Sequence, residues 1–209
     1  MLTILKEIGS TVERLDTNSY KIKTNISKTT INQELGKKIR TSILFAGPLL
    51  ARSGKVELPP PGGDVIGRRR LDTHFLALSE LGSRIEIGAN FKLSANRLVG
   101  KEIFLDEASV TGTENAIMAS VLAEGETVII NAASEPHVQD LCRCLNSMGA
   151  KIEGIGSNIL KITGVKKLHG TEFKIGTDYM EVGSLIGLAA VTRGEIEITD
   201  ADPQNMRMA

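Results

Sequence analysis

One pattern restricts the fold of this 209-residue chain more than any other: it repeats itself. The segments ILKEIGSTVE (4–13), ALSELGSRIE (77–86) and CLNSMGAKIE (144–153) share one design. Each closes an amphipathic helix, breaks at a glycine (Gly9, Gly82, Gly149) and opens a strand with a β-branched residue followed by Glu. Glycine is the residue that ends a helix with a positive φ at little steric cost. A second set interleaves with the first: SILFAGPLLARSGKVEL (42–58), AIMASVLAEGETVII (116–130) and SLIGLAAVTRGEIEI (184–198). Here an almost wholly apolar helix breaks at Gly54, Gly125 or Gly194 and continues as an alternating strand. Short alternating strands, YKIKT (20–24), FKLSA (91–95) and LKITG (160–164), lie between the two sets.

The spacing defines a mixed α/β unit of roughly 70 residues in about three copies. Helices that are apolar all round belong at the centre of a fold, so the second set is expected to be buried. The first copy begins inside a helix and the last stops soon after its strand, so the chain is expected to be a slice of a longer repeat protein.

Composition excludes several classes of function. Lys plus Arg and Asp plus Glu both total 25, so no net field draws the chain to nucleic acid or an anionic membrane. Aromatic residues make up 3% with no Trp, too few for a base-stacking platform. No apolar run is long enough to span a bilayer, and MLTILKEIGS lacks the layout of a signal peptide. Cys142 and Cys144, two apart on a helix, point in different directions, and His74, His137 and His169 match no metal-ligand spacing. The expectation is a cytoplasmic protein with free thiols, no metal and no cofactor.

Each apolar helix is preceded by a polar turn: GKKIRTS (36–42), TGTENA (111–116) and GTDYMEVGS (176–184). Helix N-termini suit phosphate or carboxylate groups, while simple capping by Thr113, Thr177 or Asp178 explains the same residues equally well. The stretch LPPPGGDVIGRRRLD (58–72) adds a proline-stiffened turn, two glycines, Asp64 alone at its tip and the cations Arg68, Arg69 and Arg70. Arginines recognise phosphate and carboxylate in bidentate fashion, so this is either a small-polyanion site or a solvated basic loop.

The ordered set RTSILFAGPLLARSGKVELPPPGGDVIGRRRLDTH, SVTGTENAIMASVLAEGETVIINAASEPHVQDL, LNSMGAKIEGIGSNILKITGVKKLHG and GTDYMEVGSLIGLAAVTRGEIEI resembles the enolpyruvyl transferases that act on UDP-N-acetylglucosamine. The resemblance runs over nearly the whole chain from Gly36 and, more weakly, the first helix. It implies the enolpyruvyl-transferase (EPSP synthase-like) fold, an inside-out α/β barrel of repeated βαβαββ units in two domains around a cleft. Residues 1–175 would form the bulk of the loop-bearing domain and 176–209 the start of the second domain or of a third repeat.

The reaction implied is metal-free addition and elimination: phosphoenolpyruvate gives its enolpyruvyl group to the sugar 3-hydroxyl of UDP-N-acetylglucosamine and phosphate leaves. This is the first committed step of peptidoglycan precursor synthesis. Such chemistry needs a proton donor at the methylene carbon, cations around the phosphate and a dry site.

By similarity, Asp64 occupies a mobile-loop position that is cysteine in many members, as general acid or as an aid to product release. Arg40 and Arg69 match arginines that engage the anionic substrates. Arg69, Arg70, Leu71, Asp72 and Thr73 match a uridine-lining segment, with Arg70 where proline is commoner. Glu107, Ala108, Ser109 and Val110 match a second nucleotide-contacting segment, and Glu135 and Asp178 match polar cleft residues.

The implied partners are the two small-molecule substrates and the remaining N- and C-terminal parts of the same enzyme, with no nucleic acid and no membrane. A slice lacking those parts is expected to be inactive alone. The alternatives are a shikimate-type enolpyruvyl transferase and a non-catalytic UDP-sugar-binding paralogue.

Overall fold

In the computed structural model, which describes residues 1–64, 67 and 70–206, the repeat becomes one βαβαββ layer and one whose first strand is reduced to a lone bridge, flanked by partial ones. Helix α1 (Leu2–Glu7) leads into the antiparallel hairpin β1 (Ser10–Arg14) and β2 (Tyr20–Thr24). The layer with the reduced first strand comes next. After the short helix α2 (Gln33–Gly36), a 3-10 turn (Arg40–Phe45) runs into α3 (Ala46–Ser53), then β3 (Lys55–Leu58), α4 (Asp72–Glu80), β4 (Arg84–Ile87) and β5 (Phe91–Ser94). The second comprises β6 (Glu102–Phe104), α5 (Val110–Ser120), β7 (Glu126–Ile130), α6 (Pro136–Ser147), β8 (Lys151–Glu153) and β9 (Ile159–Thr163). Helix α7 (Tyr179–Thr192) opens a further, partial layer.

The sheets are stitched across the boundaries read from the sequence. In the first, β5 lies between β3 and β4, antiparallel to both; in the second the order is β6-β7-β9-β8, with only β6 and β7 parallel. A strand after an apolar helix therefore pairs with the hairpin of the next sequence repeat. A lone parallel bridge, Thr30 to Glu57, occupies in the first layer the place that β6–β7 pairing takes in the second. Alternation decides which face is inside: Phe91 and Leu93 of β5, Thr127 and Ile129 of β7, and Leu160 and Ile162 of β9 all point inward.

Helices α3 and α5 are central, as their composition predicts. Ala46, Leu49 and Leu50 of α3 and Ala116, Ile117 and Ala119 of α5 join one buried core with strand residues such as Val56, Leu58, Ile103 and Ile129. Gly47 permits their close approach, because a Cβ there would lie 2.6 Å from the Asn115 carbonyl oxygen. Helix α6 is instead amphipathic and inserts Val138, Cys142 and Leu145.

Three expectations need correction. Helix α7, apolar all round, leaves Met180, Ile186, Leu188 and Val191 exposed and buries only Val182. Residues 195–198, read as a strand, form none, because no described strand is available to pair with them. The left-handed cap after α7 is Arg193 (φ 52°) rather than Gly194, whereas Gly9, Gly54, Gly82, Gly125 and Gly149 all take positive φ as expected. No described helix is long and apolar enough to cross a membrane.

Candidate functional site

The proline-glycine stretch is only partly a free loop. Pro59 is buried, and a Cβ on Gly36 would meet its ring at 2.5 Å. A Cβ on Gly62 would lie 1.5 Å from the Lys37 carbonyl oxygen, so only glycine lets this turn lie on the 36–40 segment. Beyond that anchor Gly63 turns with φ 96° beside Arg40, and Asp64 stands exposed. The anchor thus brings Gly63, at the base of the acid-bearing tip, next to Arg40. Arg68 and Arg69 lie outside the described residues.

Three stretches distant in sequence converge here. Arg40, half-buried, donates from Nη2 to the Arg70 carbonyl at 2.8 Å. Arg70 forms an exposed ion pair with Asp72, which raises the arginine's pKa through the hydrogen bond and then the charge. Thr73, buried in the first turn of α4, donates its hydroxyl to Asp106 Oδ1 at 2.8 Å. That bond ties the 70–73 segment to the 106–110 segment. Gly112 allows the approach, since a Cβ there would lie 3.0 Å from the Thr73 methyl. Leu71 is half-buried as the N-cap of α4, and Glu107 and Ala108 are exposed on the turn before α5.

The cap of α5 is Ser109, whose Oγ accepts from the Gly112 N–H at 3.2 Å, and the helix starts at Val110. Thr113, an alternative cap by sequence, is buried and accepts from the Ala133 N–H at 3.0 Å. It thereby fixes the turn that leads to Glu135.

Two expected site residues stand apart from this cluster. Glu135 caps α6 through its backbone, and its Oε2 is buried without a hydrogen-bond partner among the described residues. It faces Glu114, whose pKa is pushed up to about 7 by burial and then by the Glu135 charge. Glu114 borders an apolar cleft of about 320 Å³ lined by Leu5, Ile8, Phe45, Leu49 and Met118. Asp178 is exposed and caps α7, accepting from the Met180 and Glu181 N–H groups at 2.9 and 3.3 Å. It shares no hydrogen bond with the Arg40–Thr73–Asp106 cluster.

The sequence reading missed a buried polar junction beneath the cluster. His74 is almost fully buried, and desolvation, with the Arg40 charge as a smaller cause, lowers its pKa to about 4. Its Nδ1 lies 2.9 Å from Asn115 Nδ2 and its Nε2 3.2 Å from Thr111 Oγ1. Asn115 also accepts from the Gly47 N–H and donates to the Ile43 carbonyl, both at 2.9 Å. The available signal was an asparagine at the head of the apolar run AIMAS, which a buried helix tolerates only with partners.

Comparison with known proteins identifies the family and the fold. The family described as EPSP synthase (3-phosphoshikimate 1-carboxyvinyltransferase) matches residues 1–209. The UDP-N-acetylglucosamine 1-carboxyvinyltransferase of Treponema denticola is 65% identical over 99% of this chain and 49% of its own length. That of Borreliella burgdorferi is 60% identical over 100% of this chain and 49% of its own. The chain therefore spans about half the length of the relatives it matches.

Among solved structures, the enolpyruvyl transferase NikO from Streptomyces tendae superposes with a TM-score of 0.73 at 20% identity. It covers 88% of this chain and 44% of that one. An EPSP synthase from Acinetobacter baumannii gives 0.70 at 19%, over 91% and 44%. The layered βαβαββ architecture is thus the enolpyruvyl-transferase fold, and the chain belongs to the EPSP synthase (3-phosphoshikimate 1-carboxyvinyltransferase) family.

Proposed function

We propose that this chain serves transfer of the enolpyruvyl group of phosphoenolpyruvate to the 3-hydroxyl of UDP-N-acetylglucosamine, in the cytoplasm, as the committed step toward peptidoglycan precursors. One observation carries the choice of acceptor. Identity to relatives named for that activity is 60–65% along essentially the whole chain. It is only 18–20% to the NikO and EPSP synthase structures, which share the fold.

In this reading the 69–73 and 107–110 segments hold the nucleotide, with the Thr73–Asp106 bond keeping their spacing. Arg40 and Arg69 engage the anionic groups. Asp64 delivers a proton to the methylene carbon as the sugar oxygen, giving up its hydroxyl proton to a base, bonds to the adjacent carbon. Loss of phosphate together with a proton from the new methyl group then restores the double bond. A carboxyl group donates near neutrality only when desolvated, so the loop must close for this step. Glu135 and Asp178 line the cleft on the side that other parts of the protein complete. In the same reading, residues 1–175 form the bulk of the loop-bearing domain and 176–209 open the second domain or a third repeat.

The test is phosphate release from phosphoenolpyruvate by the full chain as its gene encodes it. UDP-N-acetylglucosamine is the expected acceptor. Release with shikimate 3-phosphate instead would make it a shikimate-type enzyme, and binding of the UDP-sugar without turnover would make it a non-catalytic paralogue. Residues 1–209 alone are expected to release no phosphate above background. Because Asp64 offers no thiol, an alkylating epoxide such as fosfomycin is expected to leave no adduct on residues 58–72, as read by peptide mass spectrometry.

A further inference from the structure

The outer faces of the two larger sheets differ in a way that the repeat does not explain. In the β3-β5-β4 sheet the residues pointing away from the core form two rows across the strands, Glu57–Lys92–Glu86 and Lys55–Ser94–Arg84. Every one of them is polar or charged. In the β6-β7-β9-β8 sheet the outer row nearest the 106–110 segment is Phe104–Ile130–Ile159, three apolar side chains directly opposite one another. Phe104 is 65% exposed and Ile159 49%, with Ile130 half-buried between them. The next row reads Glu102–Val128–Lys161, so β7 turns Val128 as well as Ile130 outward.

Strand propensity alone does not call for this row, because the polar outer face of the first sheet folds into the same ladder. A contiguous apolar strip with a charged rim is the mark of an interaction surface. The rim also identifies the occupant. Strand β7 is a centre line with β6 on one side and β9 on the other. A two-fold axis along β7, lying between two copies of this face, sets β6 of each copy over β9 of the other. Phe104 then meets Ile159 of the second copy, and Ile130 and Val128 meet their own counterparts on the axis. Glu102 meets Lys161 of the second copy, and the symmetry makes that contact twice.

The two charges are suited to this. Glu102 takes part in no ion pair among the described residues. Lys161 is held on the face by Glu126 at 2.9 Å, and its ammonium has three hydrogens to donate. Two sheets stacked about 10 Å apart with their strands roughly aligned is the ordinary packing of sheet faces.

We infer that the outer face of the β6-β7-β9-β8 sheet is a self-association surface, on which a second copy of the chain docks about a two-fold axis along β7. The face measures roughly 300 Å² in plan from the usual strand spacing, at the small end for a specific contact. A dissociation constant in the micromolar range is therefore expected.

The test is sedimentation velocity on the full chain as its gene encodes it, over about 1–100 μM, with circular dichroism to check the fold of each variant. The parent should pass from monomer to dimer within that range. Phe104→Ser should leave it monomeric throughout, because the loss of apolar contact counts twice. Glu102→Lys sets lysine against lysine in both halves of the contact and should weaken association about tenfold or more. Glu102→Lys combined with Lys161→Glu should bring it back to within about threefold of the parent. These two positions are exposed, so the charge variants carry the test should Phe104→Ser not fold. Glu86→Lys makes the same change of charge on the β3-β5-β4 sheet and should alter nothing.

A monomeric parent would overturn the inference, since water or another part of the protein would then cover this face. A dimer indifferent to Phe104→Ser or to Glu102→Lys would place the contact elsewhere and overturn it equally. So would a double variant that stays as weak as Glu102→Lys alone, because the two-fold pairing of β6 with β9 requires the recovery.

Discussion

Gly47 of α3 and Gly187 of α7 are the same residue in two apolar helices of one repeat, and they meet opposite surroundings. A Cβ at Gly47 would press on the Asn115 carbonyl at 2.6 Å and the side-chain oxygen at 2.9 Å. One at Gly187 would find nothing within 4 Å. Around the first glycine, three helices and a 3-10 turn are locked by a polar junction in which both side-chain polar atoms of Asn115 are bonded. Around the second, Ile186 and Leu188 face solvent. The moorings of α7 lie at its start, where Tyr179 stacks on His137 at 6.1 Å and the Gly176 N–H donates to Asp140 at 2.9 Å. Composition makes a helix suitable for a core; only packing partners on every side put it there.

The largest effect that would sharpen this contrast comes from the junction. Asn115→Leu keeps the approximate volume but orphans the Gly47 N–H and His74 Nδ1 and leaves the Ile43 carbonyl only its bond from the Ala46 N–H. The expected loss is about 3–5 kcal/mol, read as a lower urea midpoint at unchanged slope. A loss below about 1 kcal/mol would mean that water or a local shift replaces the network and that the two regions differ less than their geometry says.

Acid should expose the same difference. The native pKa of His74, about 4, lies below its ordinary 6.5, so the unfolded chain binds more protons between those values. Its contribution is full above pH 6.5 and is lost as pH falls toward 4, on the order of 3 kcal/mol in total. Glu114 runs the other way. Its native pKa of about 7 lies above 4.5, so its contribution is full below pH 4.5 and is lost as pH rises toward 7. The two slopes oppose each other from about pH 4.5 to 6.5. Glu114→Gln should therefore leave stability at pH 4 unchanged and gain on the parent progressively up to pH 7. Chemical denaturation at a series of pH values checks both signs, and an equal gain at pH 4 would contradict the burial assigned to Glu114.

Which features are legible in the sequence depends on which interactions are local. Helix-breaking glycines and alternating strands are written within a few residues, so the repeat and the hairpins β4–β5 and β8–β9 could be read directly. Arg40 and the 70–73 and 107–110 segments were singled out by their motifs, yet the Thr73–Asp106 bond that joins the two segments spans 33 residues and has no periodic signature. The same holds for His74, Asn115 and Thr111. The histidine stands isolated in the sequence because its partners come from another layer. The cap of α5 was misplaced because two hydroxyl residues compete there, and Thr113 is drawn inward to the Ala133 N–H. Arg193 in place of Gly194 as a left-handed cap is a further case where the neighbouring residue took a conformation that sequence assigns to glycine.

The smallest pair of effects tests the two glycines directly. Gly47→Ala forces a methyl against the Asn115 backbone and should cost about 1–3 kcal/mol, since α5 has no room to retreat without breaking its bonds to Ile43 and His74. Gly187→Ala meets no such obstacle. It removes the helix penalty of glycine and should stabilise α7 locally by about 1 kcal/mol, slowing amide exchange at residues 188–191 roughly fivefold. The opposite signs distinguish an enclosed glycine from an uncovered one, and global denaturation alone would miss the second because α7 is moored only at one end. If Gly187→Ala instead slowed nothing and lowered the urea midpoint, another surface must press on that face of α7 in solution. The contrast between the two helices would then lie in what covers them rather than in whether they are covered.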